Sequence, residues 1–326
     1  GLPASLAEGD KLTSLVIDAV HNGPLDQAWT PSLSGTAEHF TNGVKILKCL
    51  YPNTTITVAI NKRNRSFFDN ADVSLATIAV LSDKYPQENP EILVRDSIGK
   101  RLTMPDGSRD KSLAIAEYAV VEQIADIMAS GNPLIERLLL VAGPGVSHPG
   151  WYRVRIGTPI AQLKRNLMKD DDAGPWRVIR GGLFDGVAIV DSDFIRATDS
   201  AITVIREGAV RELYRFMRPG FVWDSYAHVN ASDVLPILPK RLDANLHGGE
   251  RPCVQCNFCD EVCPVGIYPF LIGKYVAAGN VEASFKLKPF DCVGCGLCDY
   301  VCPSKIPVSS AVKKAAAEYR SSGEGA

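Results

Sequence analysis

The stretch Cys253-Val-Gln-Cys256-Asn-Phe-Cys259-Asp-Glu-Val-Cys263-Pro264 is followed by Cys292-Val-Gly-Cys295-Gly-Leu-Cys298-Asp-Tyr-Val-Cys302-Pro303. One spacing, C-x2-C-x2-C-x3-C-P, thus occurs twice. The chain has 9 cysteines, and 8 of them lie in these two runs. Four soft thiolates must converge to hold the corners of an iron–sulfur cubane. Two-residue gaps wrap the backbone around one such group and turn its amides toward the sulfurs. The fourth cysteine sits on a stiffer, Pro-terminated turn and reaches the neighbouring group.

This is the spacing of bacterial two-cluster ferredoxins. It assigns Cys253, Cys256, Cys259 and Cys302 to one [4Fe–4S] cluster. Cys292, Cys295, Cys298 and Cys263 are assigned to a second. Zinc sites use separated C-x2-C pairs and rarely four-Cys runs closed by Pro. Disulfide frameworks belong to small secreted chains, and this chain is large with no signal-like start. The spacer from Pro264 to Asp291 has room for two short helices. It predicts a helical di-cluster domain over 251–326, ending in a helix that fades into a tail. The ninth cysteine, Cys49, lies in a predicted helix beside Leu47 and Leu50 and is expected to be a small core residue.

The rest of the composition narrows the class. The chain has 326 residues, is 46% hydrophobic and 22% charged, and carries 35 Lys+Arg against 37 Asp+Glu. That excludes disorder and leaves no basic excess for a nucleic-acid partner. No apolar run approaches the ~18 residues of a spanning helix. The chain begins at Gly1 rather than Met and is expected to be part of something longer. The formal net charge of -2 omits the clusters. Each oxidised cubane with four thiolates adds about −2, so a loaded chain is more acidic.

Residues 1–131 read as an α/β domain. LVIDAV (15–20) and TITVAI (55–60) have the short β-branched pattern of buried parallel strands. A helix between them carries Phe40, Val44, Leu47 and Leu50. SLATIAVLSDKYP (74–86) reads as a second helix, and SLAIAEYAVVEQIADIMASG (112–131) as a long one ending at Gly131. Residues 132–206 read as a small β-rich domain with Gly/Pro turns and one short helix. Residues 207–250 read as a linker.

These motifs and their flanks resemble a known family. PCVQCNFCDEVCPVGIYP and FDCVGCGLCDYVCPSKIPV are similar to the C subunit of the Rnf electron-transport complex. They also resemble cluster-bearing relatives of the A subunit of the Na+-translocating NADH:quinone reductase. KYPQENPEILVRDSIGKRL and GNPLIERLLLVAGPGVSHPGWYRVRIGTPIAQL extend the Rnf likeness. RVIRGGLFDG, AITVIREGAVREL and HGGERPC extend the other. The resemblance implies an α/β domain like the complex I flavoprotein, then a β-grasp (soluble-ligand-binding) domain, then the helical ferredoxin domain. It also implies an oxidoreductase subunit of the NADH:quinone or NADH:ferredoxin kind, peripheral to the inner, cytoplasmic face of a membrane. Its partners would be other subunits of that complex and a quinone.

Flavin-binding relatives carry a glycine-rich loop for FMN and NADH and a Glu-Cys-Glu-Pro type loop after the first strand. Here the matching stretch is His21-Asn22-Gly23-Pro24, without carboxylates. No G-x-G-x-x-G is present. His21, Asn22 and Gly23 remain the candidate cofactor loop, since open α/β sheets place ligands at strand ends. FMN and NADH are not expected to be held by this chain.

Other candidates are weaker. Arg177, Arg180, Arg206, Arg211, Arg215 and Arg218 form a basic run, read as a solvated face or a docking face for an acidic partner. Trp151, Tyr152, Trp223 and Tyr226 are read as core or interface before quinone or flavin stacking. His148, His228 and His247 have no metal spacing. The favoured expectation is an electron-transfer subunit relaying single electrons from an NADH- or flavin-linked donor. A self-sufficient, cobalamin-reductase-like flavo-iron–sulfur enzyme and a non-redox scaffold with structural clusters are the alternatives.

Overall fold

The computed structural model describes residues 12–25, 37–69, 72, 74–169, 175–208, 220–222, 224–228, 230–235, 237, 242–244 and 249–322. The fold is mixed α/β, followed by a helical cysteine-bearing segment.

Four strands, β1 (Ser14–Ala19), β2 (Thr55–Asn61), β3 (Thr77–Leu81) and β4 (Leu113–Glu117), form an all-parallel sheet in the order β3-β2-β1-β4. Alternation along β1 sends Leu15, Ile17 and Ala19 to one face and Val16 to the other. The first face is covered by α1 (Ala37–Leu50) and α4 (Tyr118–Ser130), the second by α3 (Pro90–Ile98). A short α2 (Arg65–Phe68) adds Phe68, whose ring meets Phe40 and Tyr118 in the core. The two covering helices touch at Gly43, where a Cβ would lie 2.2 Å from the Val121 carbonyl oxygen. Glycine is required there because nothing larger fits.

Two expected helices are corrected. TIAVL within 74–86 is the edge strand β3, and LAIAE within 112–131 is β4. Leu113, Ala114 and Ala116 are all buried, since a parallel strand covered on both faces is apolar throughout. That uniform run continues into α4 and hides the boundary. The helix does end at Gly131, which takes a left-handed φ of 71°.

Residues 136–206 build a second sheet from β5 (Glu136–Ala142), β6 (Gly150–Arg155), β7 (Trp176–Arg180), β8 (Val187–Ile189) and β9 (Ala201–Arg206). Its order is β6-β5-β9-β7-β8, with β5 and β9 parallel and the other pairs antiparallel. One helix, α5 (Ile160–Leu167), closes the core with Ile160 and Leu163. Trp151 of β6 packs instead on the first sheet's core and joins the two.

After a short α6 (Ala231–Val234) come α7 (Phe258–Glu261), α8 (Pro269–Ala277), α9 (Val281–Ser284), α10 (Leu297–Val301) and α11 (Val308–Ser321). The spacer between the cysteine runs thus holds two short helices, as its length predicts. Ile267, Ile272, Val308, Val312 and Ala315 form the core of this segment. Cys49 is corrected: it lies in α1 but on the outer face and is exposed. The tail from residue 323, and half of the expected linker, lie outside the described residues.

Candidate iron–sulfur centre

The two cysteine runs are superposable by a constant shift of 39 residues, from Cys253 to Cys292 and from Cys263 to Cys302. The backbone follows the shift. Gln255 and Asn257 take positive φ of 57° and 62°, and their counterparts Gly294 and Gly296 take 70° and 75°. Gly266 and Lys305, three residues after each fourth cysteine, take 66° and 59°. These left-handed residues curl each run so that its amides face inward. The Gln255 N–H lies 3.4 Å from the Cys253 sulfur. The Gly294 N–H points at the Cys292 sulfur and the Leu297 N–H at that of Cys295.

The helices repeat too. Asp260 Oδ1 accepts from the Phe270 N–H at 3.0 Å, at the start of α8. Asp299 Oδ1 accepts from the Ser309 N–H at 2.8 Å, at the start of α11. Each carboxylate satisfies an orphan donor at a helix N-terminus. Helices α8 and α11 then pack together through Ile272, Val308 and Val312. The entry of the first run is tied to the exit of the second: the Arg251 N–H donates to Ser304 O at 2.9 Å and Ser304 Oγ to Pro252 O at 2.9 Å.

This crossing brings Cys263 of the first run beside Cys292, Cys295 and Cys298 of the second. All four line one cavity, walled by Pro264, Val265, Ile267, Leu297 and Val312, and Cys259 of the first run reaches the same cavity. Cys259 is flanked by Cys256 and Cys302 in turn. Burial, then the neighbouring Asp260 carboxylate, pushes the Cys259 thiol up to about 12. Burial, then Asp299, likewise raises Cys298. Cys292 and Cys295 are raised by burial as well. Thiols held this high need a strong Lewis acid to deprotonate them. Among the described residues no three His, Cys, Asp or Glu side chains are drawn in tightly enough for a single metal ion. Four soft donors around an apolar, amide-lined cavity fit a cubane.

The two runs differ in their surroundings. Residues 251–257 are all exposed, whereas 290–299 are all buried or half-buried. The second run is covered from two sides. Tyr85 Oη donates to Cys295 O at 2.7 Å, and Asn89 Nδ2 to Val293 O at 3.0 Å. Arg101 pairs with Asp291 at 2.7 Å. From the loop between β7 and β8, the Phe184 ring packs between Tyr85 and Tyr300, tilted to both. These partners lie far from the cysteines in sequence, and nothing in the cysteine pattern signals them.

The candidate loop after β1 is used differently. The Asn22 side-chain oxygen accepts from Asn61 at 2.7 Å and its amide donates to Ser82 O at 3.0 Å. Its backbone N–H donates to Glu88 at 2.7 Å. The His21 N–H donates to Asn61 at 3.1 Å, and Arg63 donates to the His21 carbonyl. Burial pushes His21 down to about 4, with Arg63 adding to the shift. Beside it, enclosure by protein pushes Asp18 up to about 8, helped by Glu117 and Glu88. The loop is a polar clamp at the C-terminal end of the central strand β1, with the Trp151 ring edge-on to His21 at 5.4 Å.

Among the described residues, the three arginines of the basic run all have partners. Arg177 pairs with Glu207, Arg180 with Asp199 at 3.0 Å, and Arg206 lies 3.7 Å over the Trp176 ring. Arg211, Arg215, Arg218, Trp223 and His247 lie outside the described residues. His148 and His228 are exposed. Tyr152 donates to the His148 carbonyl, and the Tyr226 ring lies edge-on to Phe258 at 5.3 Å. Among the described residues no helix is long and apolar enough to cross a membrane.

Comparison with known proteins agrees with the geometry. Residues 252–306 match the 4Fe-4S dicluster domain family. The chain is 25% identical over 281 residues to the A subunit of the Na+-translocating NADH-quinone reductase of Cellvibrio japonicus, covering 86% of this chain and 60% of that protein. The corresponding protein of Haemophilus influenzae (strain Rd) is 25% identical, covering 84% and 59%. That of Actinobacillus pleuropneumoniae serotype 5b is 26% identical over 279 residues. The chain therefore spans about 60% of the length of these relatives. Among solved structures, NAD+-reducing [NiFe]-hydrogenase in the H2-reduced state matches with a TM-score of 0.45 at 13% identity, over 62% of this chain and 42% of that one. The resemblance to the quinone-reductase protein thus extends over most of the chain, and the cysteine segment is an iron–sulfur domain.

Proposed function

We propose that this chain is an electron-transfer subunit of a membrane-associated redox complex, passing single electrons through two [4Fe–4S] clusters. The observation that carries the reading is the convergence of Cys259 and Cys263 of the first run with Cys292, Cys295 and Cys298 of the second around one apolar cavity. A bound cubane supplies reversible one-electron chemistry. The chain's own residues do the rest. The thiolates hold the group, and the Gly294 and Leu297 amides stabilise negative charge on the sulfurs. Val265, Ile267, Leu297 and Val312 exclude water.

In this reading Cys253, Cys256, Cys259 and Cys302 hold the first cluster, and Cys292, Cys295, Cys298 and Cys263 the second. Residues 1–131 form a flavoprotein-like α/β domain, 132–206 a β-grasp domain, 207–250 a linker and 251–326 the ferredoxin domain. The donor is NADH- or flavin-linked, and the acceptor a membrane partner or quinone on the cytoplasmic side. His21 and Asn22 brace the end of the central strand β1, and FMN and NADH are not held by the loop of His21, Asn22 and Gly23.

Anaerobic electron paramagnetic resonance decides the matter. Dithionite should produce signals from two coupled clusters, and NADH alone should produce none. Reduction by NADH without a partner would replace the relay with a self-sufficient reductase. One cluster, or none, would overturn the ligand assignment.

A further inference from the structure

The two cysteine runs share a backbone but are gripped differently: the first is met at Pro264 O by Arg95 and at Phe258 by Tyr226, the second at carbonyls that lie between its cysteines. The peptide joining Val293 and Gly294 points its N–H at the Cys292 sulfur. Its carbonyl oxygen accepts from Asn89 Nδ2 at 3.0 Å. The Cys295 carbonyl accepts from Tyr85 Oη at 2.7 Å. The equivalent carbonyls of the first run belong to Val254 and Cys256, both exposed, and neither has such a donor among the described residues.

We propose that Tyr85 and Asn89 are positioning residues that raise the reduction potential of the second cluster relative to the first. The inference rests on the two-cluster reading given above. Reduction adds one electron to [4Fe–4S]2+ and makes the group more negative. Burial of the 290–299 loop opposes that added charge, because charge is costly away from water. A donor on a carbonyl of the binding loop acts the other way. It places positive partial charge near the cluster and cancels the negative end of a peptide dipole. Where the same peptide donates to sulfur, polarising its C=O also strengthens its N–H. Hydrogen bonds around the sulfurs are among the levers that set cluster potentials.

Both donors are fixed. Asn89 Oδ1 accepts from the Glu91 N–H at 3.1 Å, capping α3, which leaves Nδ2 facing Val293. The Tyr85 ring is packed on Phe184. The segment carrying both, Ser82 to Asn89, is held at its two ends by Asn22, through Ser82 O and Glu88.

The test is a mediator-assisted redox titration of the holoprotein followed by electron paramagnetic resonance. In Tyr85→Phe, which keeps the ring, one midpoint should fall and the other stay. A tenfold loss in the reduced-to-oxidised ratio at fixed potential corresponds to about 59 mV for one electron. Asn89→Asp keeps the helix cap and loses the donor, and should move the same midpoint the same way. This second variant keeps the idea testable if the first fails to load iron. Two unmoved midpoints, or two that move together, overturn the proposal. Failure to find two clusters in the wild-type protein overturns the underlying reading instead, so the two failures are distinct.

Discussion

Asp299 and Ser309 are joined twice: Asp299 Oδ1 accepts from the Ser309 backbone N–H at 2.8 Å, and Oδ2 accepts from its hydroxyl. One carboxylate thereby fixes the start of α11 against the turn that carries Cys298. Its twin, Asp260, makes the backbone bond to Phe270 but has no hydroxyl to bind there, since residue 270 is Phe. Asp299→Ala should destabilise the protein by about 1 kcal/mol, the usual worth of a lost helix cap. Asp260→Ala should cost less. Paired denaturation curves check the order, and equal losses would show that the hydroxyl contact is idle.

Crossed ligation has its own signature. Cys263 lies in the first run but lines the cavity of the second. Cys263→Ser should remove the signal of the cluster held by Cys292, Cys295 and Cys298, with roughly half of the bound iron lost. Cys302→Ser should remove the other signal. If each variant instead abolishes the cluster of its own run, ligation is uncrossed.

Gly296 joins the cysteine segment to the second sheet. Its φ is 75°, and a Cβ there would lie 2.8 Å from the Phe184 carbonyl oxygen. Gly296→Ala should cost at least about 1 kcal/mol from backbone strain alone. The clash should also loosen the contact with Phe184. Faster loss of the second cluster in air, with the first unaffected, is the expected readout.

The end of strand β1 predicts a particular pH profile. His21 has a folded value near 4, below its ordinary value, so below about pH 6.5 the unfolded chain binds the extra proton. Stability from His21 therefore rises from pH 4 to 6.5. Asp18 has a folded value near 8, so between about pH 4 and pH 8 the folded chain holds the extra proton. Its contribution falls as pH rises through that window. The two oppose each other below pH 6.5, and above it only Asp18 acts. Melting temperature should decline from pH 6.5 to 8, and Asp18→Asn should flatten that decline. An unchanged slope in the variant would remove Asp18 as its source.

Cys49 is exposed on α1 while the other eight cysteines belong to the two runs. Maleimide treatment of the anaerobic holoprotein should add a single label, lost in Cys49→Ser. Several labels on fully loaded protein would mean that a run cysteine is not a ligand.

The sequence is most legible where chemistry constrains spacing. The cysteine runs, the two spacer helices and the strands at 14–19 and 55–61 follow from local pattern. Periodicity misleads where burial is two-sided. LAIAE reads like the helix that follows it, because Leu113, Ala114 and Ala116 are all buried and the residue at the junction, Glu117, is neither a Gly or Pro nor a capping Ser, Thr, Asp or Asn. Cys49 misleads because neighbouring Leu47 is buried while Cys49 itself turns outward. The outer contacts of the second run are hidden for another reason. Tyr85 and Asn89 precede Cys295 by some 200 residues, and a single sequence carries no trace of that pairing.

The uneven covering of the two runs has an electrical consequence. Residues 251–257 stand bare, while 290–299 are sheathed by two other parts of the fold. A conductor with one stripped end and one insulated end admits contact at the stripped end first. Current through this chain would therefore have a terminal at Cys253 and Cys256, and its far end would answer to Tyr85, Asn89 and Phe184 rather than to solvent.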